Sequence, residues 1–163
     1  MRGRRRIEKF TGQPLIHTMT IRSRNPEDNA VLVEVWLRSV RTTHTFLREQ
    51  DIEDLYPLVS DRYLPAVEVW VHETLDGFIV GFIGVHEAQV EMLFVDPSHF
   101  GCGVGTSLLD HVKRQHANLT VDVNEQNPQA HAFYLRYGFK DIGRSPTDSA
   151  GRPFPLLHMA LQA

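Results

Sequence analysis

Three glycines at alternate positions, Gly101, Gly103 and Gly105, form the segment of this sequence best suited to chemistry. They lie between a β-rich segment that ends at Asp96 and an amphipathic segment with helical spacing. Glycine leaves backbone N–H groups unshielded and a helix N-terminus attracts anions, so this arrangement predicts a cradle for a phosphate-bearing ligand. A P-loop would need lysine after the last glycine, and the dinucleotide fingerprint would need glycine where Thr106 stands, so neither pattern fits.

A second signature lies in the C-terminal third of the chain, with the spacing Asn127-x-x-Ala130-x-x-Phe133-Tyr134-x-x-x-Gly138-Phe139. The glycine loop followed by this signature resembles the GNAT superfamily of N-acetyltransferases. In more detail, the chain resembles a small bacterial branch of that superfamily whose substrates are poorly defined. The motifs of the branch are Trp-x-x-Ser-Val, Thr-His-x-Phe-Leu, Val-Asn-Glu-Gln-Asn and Pro-Leu-Leu, which stand here at residues 36–40, 43–47, 123–127 and 155–157.

The resemblance implies that acetyl-coenzyme A donates its acetyl group directly from the thioester to a primary amine of a small molecule or peptide. It implies that pantetheine inserts beside residues 93–95, where the strand splays from its neighbour at a bulge, and that the loop amides bind the pyrophosphate. Asn127 is expected to reach the pantetheine arm, although a role as helix N-cap explains it equally well. The implied cofactor-binding residues are Leu93, Phe94, Val95, Phe100, Gly101, Cys102, Gly103, Val104, Gly105, Thr106, Asn127 and Tyr134.

Acetyl transfer to an amine needs a proton donor for the departing thiolate and a base for the ammonium group. The family motif favours Tyr134 as the acid, because a phenol with a pKa of about 10 is protonated at neutral pH. Two residues compete for the role of base: Glu91, acting through water, and His44, whose ordinary pKa is about 6.5. Since the connection between the first two helices borders the acceptor site in this superfamily, we expect Trp36, His44 and Phe46 to contact the acceptor.

One position departs from the pattern of the superfamily. Phe100 stands where the superfamily usually has Gln or Arg, a side chain that helps to close the loop on the pyrophosphate. Phosphate binding is therefore expected to be weaker and to depend more on backbone amides, with partial compensation from His99. The missing cation also motivates an alternative function, a regulatory module that binds acyl-coenzyme A without catalysis.

The elements that must position these residues follow from the periodicity of the sequence. Alternating apolar residues and an Asp76-Gly77 turn predict a meander of three strands, and apolar residues at helical spacing predict four helices. With the resemblance, they predict one domain over residues 16–163 of the α/β (α+β) class, with a mixed, mostly antiparallel sheet of about six to seven strands flanked by about four helices. The predicted strands are residues 18–22, 67–72, 78–86, 89–95, 119–124, 139–143 and 156–161, and the predicted helices are residues 25–43, 51–65, 104–112 and 127–138.

Composition and charge exclude several classes of protein. The chain has 163 residues, of which 42% are hydrophobic, and a single cysteine, Cys102, so it is neither disordered nor a disulfide scaffold. No apolar run approaches the roughly 20 residues that span a bilayer, and no secretory signal or cluster of metal ligands is recognisable. We therefore expect a cytoplasmic protein without a metal and without a membrane partner, and possible homodimers.

The net charge of −3 is unevenly distributed along the chain. Residues 1–9 carry five cations and one acid, and residues 1–15 are predicted to form a basic, mobile arm. Residues 10–96 carry six cations and fourteen acids, whereas residues 97–163 carry six cations and five acids. Because the chain beyond the arm is acidic, it would repel nucleic acid, and the acceptor is expected to be a cationic amine.

Overall fold

A seven-stranded sheet forms the centre of the molecule, and residues 19–162 are the part of the chain that the computed structural model describes. The order of the strands is β1-β2-β3-β4-β5-β7-β6, and within these residues only β4 and β5 pair in parallel. The predicted mostly antiparallel sheet is confirmed, whereas the arm predicted at residues 1–15 lies outside the described residues. The strands are β1 (Thr20–Ser23), β2 (Glu68–Glu73), β3 (Ile79–His86), β4 (Gln89–Val95), β5 (Thr120–Asn124), β6 (Lys140–Ser145) and β7 (Leu156–Ala160).

Four α-helices flank the sheet: α1 (Asn29–Thr43), α2 (Glu49–Leu58), α3 (Val104–Lys113) and α4 (Pro128–Tyr137). A short 3-10 turn, Pro26–Asp28, precedes α1, with Asn25 as its N-cap. The second helix differs from its prediction, because it begins earlier and continues into a π-helical turn, Val59–Tyr63. Pro57 lies inside α2 and is exposed, and its missing N–H removes one backbone hydrogen bond of the helix.

Two hydrophobic clusters lie on opposite faces of the sheet. One joins α3 and α4 to the strands through side chains such as Leu108, Leu109 and Phe139, which are almost fully buried. The other joins α1 and α2 to the same sheet through side chains such as Leu32, Trp36 and Phe82. Each face of the central strands is therefore covered, and the sheet cannot shift its register without exposing one cluster.

A β-bulge in β4 places one extra residue opposite β3. Gly84 pairs with Met92 and Val85 pairs with Val90, so Glu91 has no partner of its own. After the bulge the side-chain alternation changes phase, which allows Val90 to join the α3 and α4 cluster and Met92 to join the α1 and α2 cluster. The bulge thus turns Glu91, a charged residue, out of both clusters and leaves it exposed.

The neighbouring strands β4 and β5 separate soon after they meet. Their parallel pairing covers only Gln89 with Thr120 and Val90 with Val121, although both strands continue for several residues. Beyond these pairs β5 remains paired with β7, and β4 remains paired with β3. The separation leaves an open, V-shaped gap in the middle of the sheet.

The start of α3 depends on a glycine in β3. A Cβ added to Gly81 would lie 2.8 Å from Cγ1 of Val104 and 3.1 Å from the backbone oxygen of Phe94. We expect Gly81→Ala to lower the free energy of unfolding by about 1–3 kcal/mol, because stiff, closely packed neighbours must move. Urea denaturation measures the change.

Gly143→Ala is the matched control, since its added Cβ would meet only ordinary contacts at 3.5 Å or more. Unfolding midpoints that fall equally in the two variants would contradict the close approach at Gly81.

Candidate active site

A cleft of about 1070 Å³ occupies the gap between β4 and β5 and continues to the first turns of α3 and α4. Most of the predicted site residues line it, although they come from separate parts of the sequence. Those that line it are His44, Glu91, Leu93, Phe94, Val95, Phe100, Gly101, Gly103, Val104, Gly105, Thr106, Asn127 and Tyr134. The chain therefore brings all three predicted catalytic side chains into one cavity.

The open edge of β4 presents backbone groups to the cleft. The N–H of Asp96 donates to the carbonyl oxygen of Val80 on β3. Because alternate residues of an antiparallel strand bond to the same neighbour, Phe94 also faces β3, while Leu93 and Val95 direct their N–H and C=O groups toward the gap. An extended ligand can therefore pair with β4 as a further strand would.

Two of the three glycines in the loop adopt the left-handed backbone conformation. Gly101 and Gly103 have φ angles of +73° and +82°, and an added Cβ at either would meet no atom within 4 Å. Gly103 is the N-cap of α3, and no side chain from the described residues caps this helix end. The first hydrogen bond of the helix runs from the N–H of Ser107 to Gly103, so the amides of residues 103–106 have no intrahelical acceptor. These amides and the helix dipole favour an anion.

The third glycine has a packing role. A Cβ added to Gly105 would lie 3.1 Å from Cζ of Phe133 on α4. Glycine here allows the first turn of α3 to approach Phe133 of α4 closely.

Tyr134 combines burial with access to the cleft. Only 7% of the residue is exposed, and its ring packs edge-on against Phe133 and Phe139. Its hydroxyl has no hydrogen-bond partner within residues 19–162. Burial raises the pKa of Tyr134 far above its ordinary value, so the hydroxyl keeps its proton at neutral pH.

Asn127 has the structural role that the sequence left open beside the ligand-binding one. Its Oδ1 accepts a hydrogen bond of 3.1 Å from the N–H of Ala130 and so caps α4. The residue is 6% exposed and still lines the cleft, which leaves its amide group near the gap. Both predicted roles are compatible with this position.

Glu91 lines the cleft directly after the last pair of β4 with β5, and the bulge turns it away from the core. Burial and then the charge of Asp122 raise the pKa of Glu91, while His86 lowers it. A carboxylate with a raised pKa is a stronger base than an ordinary glutamate.

His44 lies at the other wall of the cleft, at the C-terminal end of α1. The hydroxyl of Thr43 donates to the carbonyl of Ser39 at 2.8 Å and lies 2.8 Å from Nδ1 of His44. Because a hydroxyl has one proton, we assign the proton of the ring to Nδ1 and the lone pair to Nε2. Burial lowers the pKa of His44 to about 4, so the ring is neutral at pH 7.

Three predicted residues do not line the cleft. Trp36 is 5% exposed and belongs to the core beneath α1, where its helical spacing with other apolar residues places it. Cys102 is half-buried, with its Sγ 3.7 Å from the carbonyl oxygen of Phe100. Phe46 is close to the site without lining it, because its ring lies 5.4 Å from His44 and 5.7 Å from Phe154.

Sequence reasoning missed two residues at this site, Asp122 and Phe154. Asp122 lines the cleft from β5, and Phe154 contacts Phe46 from the connection between β6 and β7. Asp122 could have been found, because it alternates with the core residues Val121 and Val123 and must face away from them. Phe154 lies in an irregular connection whose sequence carries no such signal.

The side chains of residues 19–162 offer no group of three or more His, Cys, Asp or Glu placed to hold a metal ion. The helices of the same residues are too short or too polar to span a bilayer. The cleft instead offers amides for an anion, an unpaired strand edge, a protonated phenol, a carboxylate and a neutral imidazole.

Known proteins that resemble this chain in sequence are acetyltransferases. Residues 65–141 match the model of the Acetyltransferase (GNAT) domain. The chain is 41% identical over 142 residues to peptidyl-lysine N-acetyltransferase YjaB of Escherichia coli (strain K12), covering 87% of this chain and 96% of that protein. It is 32% identical to peptidyl-lysine N-acetyltransferase YiaC of the same organism, covering 82% of this chain and 91% of that protein.

Solved structures also match over most of the chain. The solution structure of apo-form YjaB from Escherichia coli has a TM-score of 0.81 and 41% identity, covering 89% of this chain and 99% of that one. The PaiA N-acetyltransferase of Thermoplasma acidophilum, solved in complex with coenzyme A, has a TM-score of 0.74 at 22% identity, covering 89% and 99%. At that identity, the second match supports the fold alone.

The buried state of His44 predicts how stability responds to acid. Its pKa is about 4 in the folded protein, and about 6.5 is expected in the unfolded chain. Between these values the unfolded chain binds the additional proton, so the free energy of unfolding decreases as the pH falls through this window. We expect His44→Asn to lose less stability than the wild type between pH 7 and pH 4, by about 3 kcal/mol at most.

Urea denaturation of both proteins at the two pH values measures this difference. An equal loss of stability in the two proteins would contradict the buried, neutral state of His44.

Proposed function

The chain belongs to the GNAT family of acetyltransferases and transfers an acetyl group from acetyl-coenzyme A to an amine, and we propose that this amine is the side chain of a lysine in a peptide or protein. The relatives named YjaB and YiaC are peptidyl-lysine N-acetyltransferases, which supports this acceptor class. The observation that carries the proposal is a row of aromatic rings at one wall of the cleft, which Glu91 also lines. The predicted cytoplasmic location and homodimer stay predictions.

The wall is a row of rings that crosses three parts of the chain. The ring of His44 lies 6.4 Å from that of Phe94 and 5.4 Å from that of Phe46, which in turn contacts Phe154. A lysine side chain has an apolar stem and a charged end, so it fits a cleft that offers both aromatic rings and a carboxylate. The acidic character of residues 10–96 favours the approach of such a cation.

The donor side of the cleft binds acetyl-coenzyme A through backbone groups. The amides of residues 103–106 are suited to the pyrophosphate, and the open edge of β4 at Leu93 and Val95 is suited to the pantetheine arm. A backbone N–H near Val95 would then face the thioester carbonyl and stabilise the negative charge that develops on its oxygen.

Proton transfer divides between Tyr134 and Glu91. Glu91, through water, takes one proton from the ammonium group, and the neutral amine then attacks the thioester carbon. As the C–S bond breaks, Tyr134 donates its proton to the thiolate and regains one from the nitrogen of the new amide. One proton per turnover then leaves Glu91 for the solvent. His44 is the weaker base, because its pKa of about 4 makes it a poor proton acceptor at neutral pH.

Removal of the Tyr134 hydroxyl tests this mechanism. With a lysine peptide as acceptor, we expect Tyr134→Phe to lower kcat by about 10²-fold or more while the KM for acetyl-coenzyme A stays within about twofold. A thiol-release assay over lysine peptides, N-terminal amines and polyamines measures both constants and the order of preference.

Tyr56→Phe is the control, since the hydroxyl of Tyr56 donates to Glu34 on the helix surface, outside the cleft. Undiminished turnover in Tyr134→Phe would remove this residue from the mechanism. Faster acetylation of polyamines than of every lysine peptide would contradict the proposed acceptor.

The position of Phe100 provides a gain-of-affinity test of the donor side. Phe100 lines the cleft and is 42% exposed, so a longer side chain has room there. We expect Phe100→Arg to tighten the binding of coenzyme A by about tenfold, because a guanidinium pairs with phosphate oxygens. Calorimetric titration with coenzyme A measures the change.

Phe100→Leu serves as its control, since it removes the ring without adding charge. Equal affinities of the arginine and leucine variants would place the pyrophosphate away from this loop.

A further inference from the structure

Three side chains on neighbouring strands form a hydrogen-bonded line beside the cleft. Nδ1 of His158 lies 2.6 Å from Oδ1 of Asp122, and Nε2 of His158 lies 2.6 Å from Oγ of Ser145. Because an ionised carboxylate can only accept, Nδ1–H of His158 donates to Asp122. In the neutral ring Nε2 then accepts from the hydroxyl of Ser145, so both ring nitrogens are used and the ring has one orientation.

The register of the sheet explains why these residues meet. Asp122 on β5 is the direct cross-strand partner of His158 on β7, and the last residue of β6 is Ser145. Val121 and Val123 point into the core, so Asp122 points to the opposite face of β5, where its side chain is about a third exposed. That face opens into the cleft, whose lining includes Asp122.

Asp122 and Glu91 lie on either side of the gap between β4 and β5, and the amide of Gln89 donates to Oδ2 of Asp122 at 3.3 Å. The charge of Asp122 contributes to the raised pKa of Glu91, so the two carboxylates interact across the gap. Two carboxylates near one substrate often divide their roles, since one stays charged while the other becomes basic.

We propose that Asp122, held in place by His158 and Ser145, binds the ammonium group of the acceptor lysine beside Glu91. This inference rests on the proposed function, because it assumes a cationic acceptor and Glu91 as base. Asp122 is the better fixed of the two carboxylates, since His158 and Gln89 both donate to it. Glu91 has no hydrogen bond to another side chain within residues 19–162 and is free to take a proton.

Asp122→Asn is the variant that tests the proposal, because it keeps the size of the side chain and removes its charge. The KM for the lysine peptide is expected to rise about tenfold or more, while the KM for acetyl-coenzyme A stays within about twofold. The acidic limb of the pH profile of kcat/KM is expected to move to lower pH, because loss of a neighbouring negative charge lowers the pKa of Glu91.

The other titratable and charged groups that line the cleft or lie on β3 are common to the wild type and the variant, so their direct effects on the pKa of Glu91 cancel in the comparison. They include the titratable and charged residues of the cleft and its neighbouring strand, His44, His86, His99, Arg136 and Tyr137.

The role of His158 is one of positioning, and two substitutions separate it from a general effect on stability. His158→Leu removes both hydrogen bonds and is expected to raise the KM for the peptide about threefold or more. Asparagine can place its amide N–H near the position of Nδ1, so His158→Asn is expected to restore a KM near that of the wild type. The control is His131→Leu, which breaks the His131–Asp141 pair outside the cleft lining and is expected to leave the KM within twofold.

The outcomes distinguish this inference from the proposed function. If Glu91→Gln keeps the acidic limb of the wild-type pH profile of kcat/KM, Glu91 is not the base and the proposed mechanism is overturned. If the limb disappears in Glu91→Gln but Asp122→Asn leaves both the limb and the peptide KM unchanged, the proposed function stands and the role of Asp122 is overturned.

Discussion

The site depends on the incomplete pairing of two central strands. Parallel strands normally continue to pair for as long as they run side by side, yet β4 and β5 pair only at Gln89 and Val90 with their partners on β5. Beyond that point the backbone N–H and C=O groups at the open edge of β4 have no strand beside them, and a polar group that stays unpaired costs free energy. A ligand with amide groups of its own satisfies these positions. The gap therefore gives the molecule its cleft and, in the proposed function, an edge along which an extended cofactor arm can bind.

The bulge at Glu91 connects this gap to the chemistry. One extra residue changes the phase of β4, so that core residues before and after the bulge still reach their own clusters. The same change turns a carboxylate into the cleft, where partial burial makes it more basic. The bulge therefore serves the packing of both clusters and, in the proposed mechanism, also the position of the base.

The two sides of the cleft use different parts of the chain for recognition. In the proposed function the donor side consists mainly of backbone amides at the start of α3, which would explain how the loop can accept Phe100 where a polar side chain is usual. In the proposed function the acceptor side consists of side chains from the end of α1 and from β4 and β5, and Phe46 and Phe154 pack beside them without lining the cleft. Backbone recognition tolerates substitution of side chains, whereas the acceptor side can change specificity by single substitutions.

The sequence alone determined the order of the elements, the class of the fold and the loop that is suited to phosphate, because these depend on local spacing and on glycine. It also predicted that His44, Glu91 and Tyr134 belong to one site, through the resemblance of its motifs. Only the tertiary structure showed that Trp36 does not line the cleft, because helical spacing assigns it to the apolar face of α1 but does not say how far that face lies from the site. The pairing of Asp122 with His158 likewise required the register of β5 with β7, because residues distant in the sequence become neighbours only when the sheet forms. The chemistry of the donor side is thus local in the sequence, while that of the acceptor side is a property of the folded sheet.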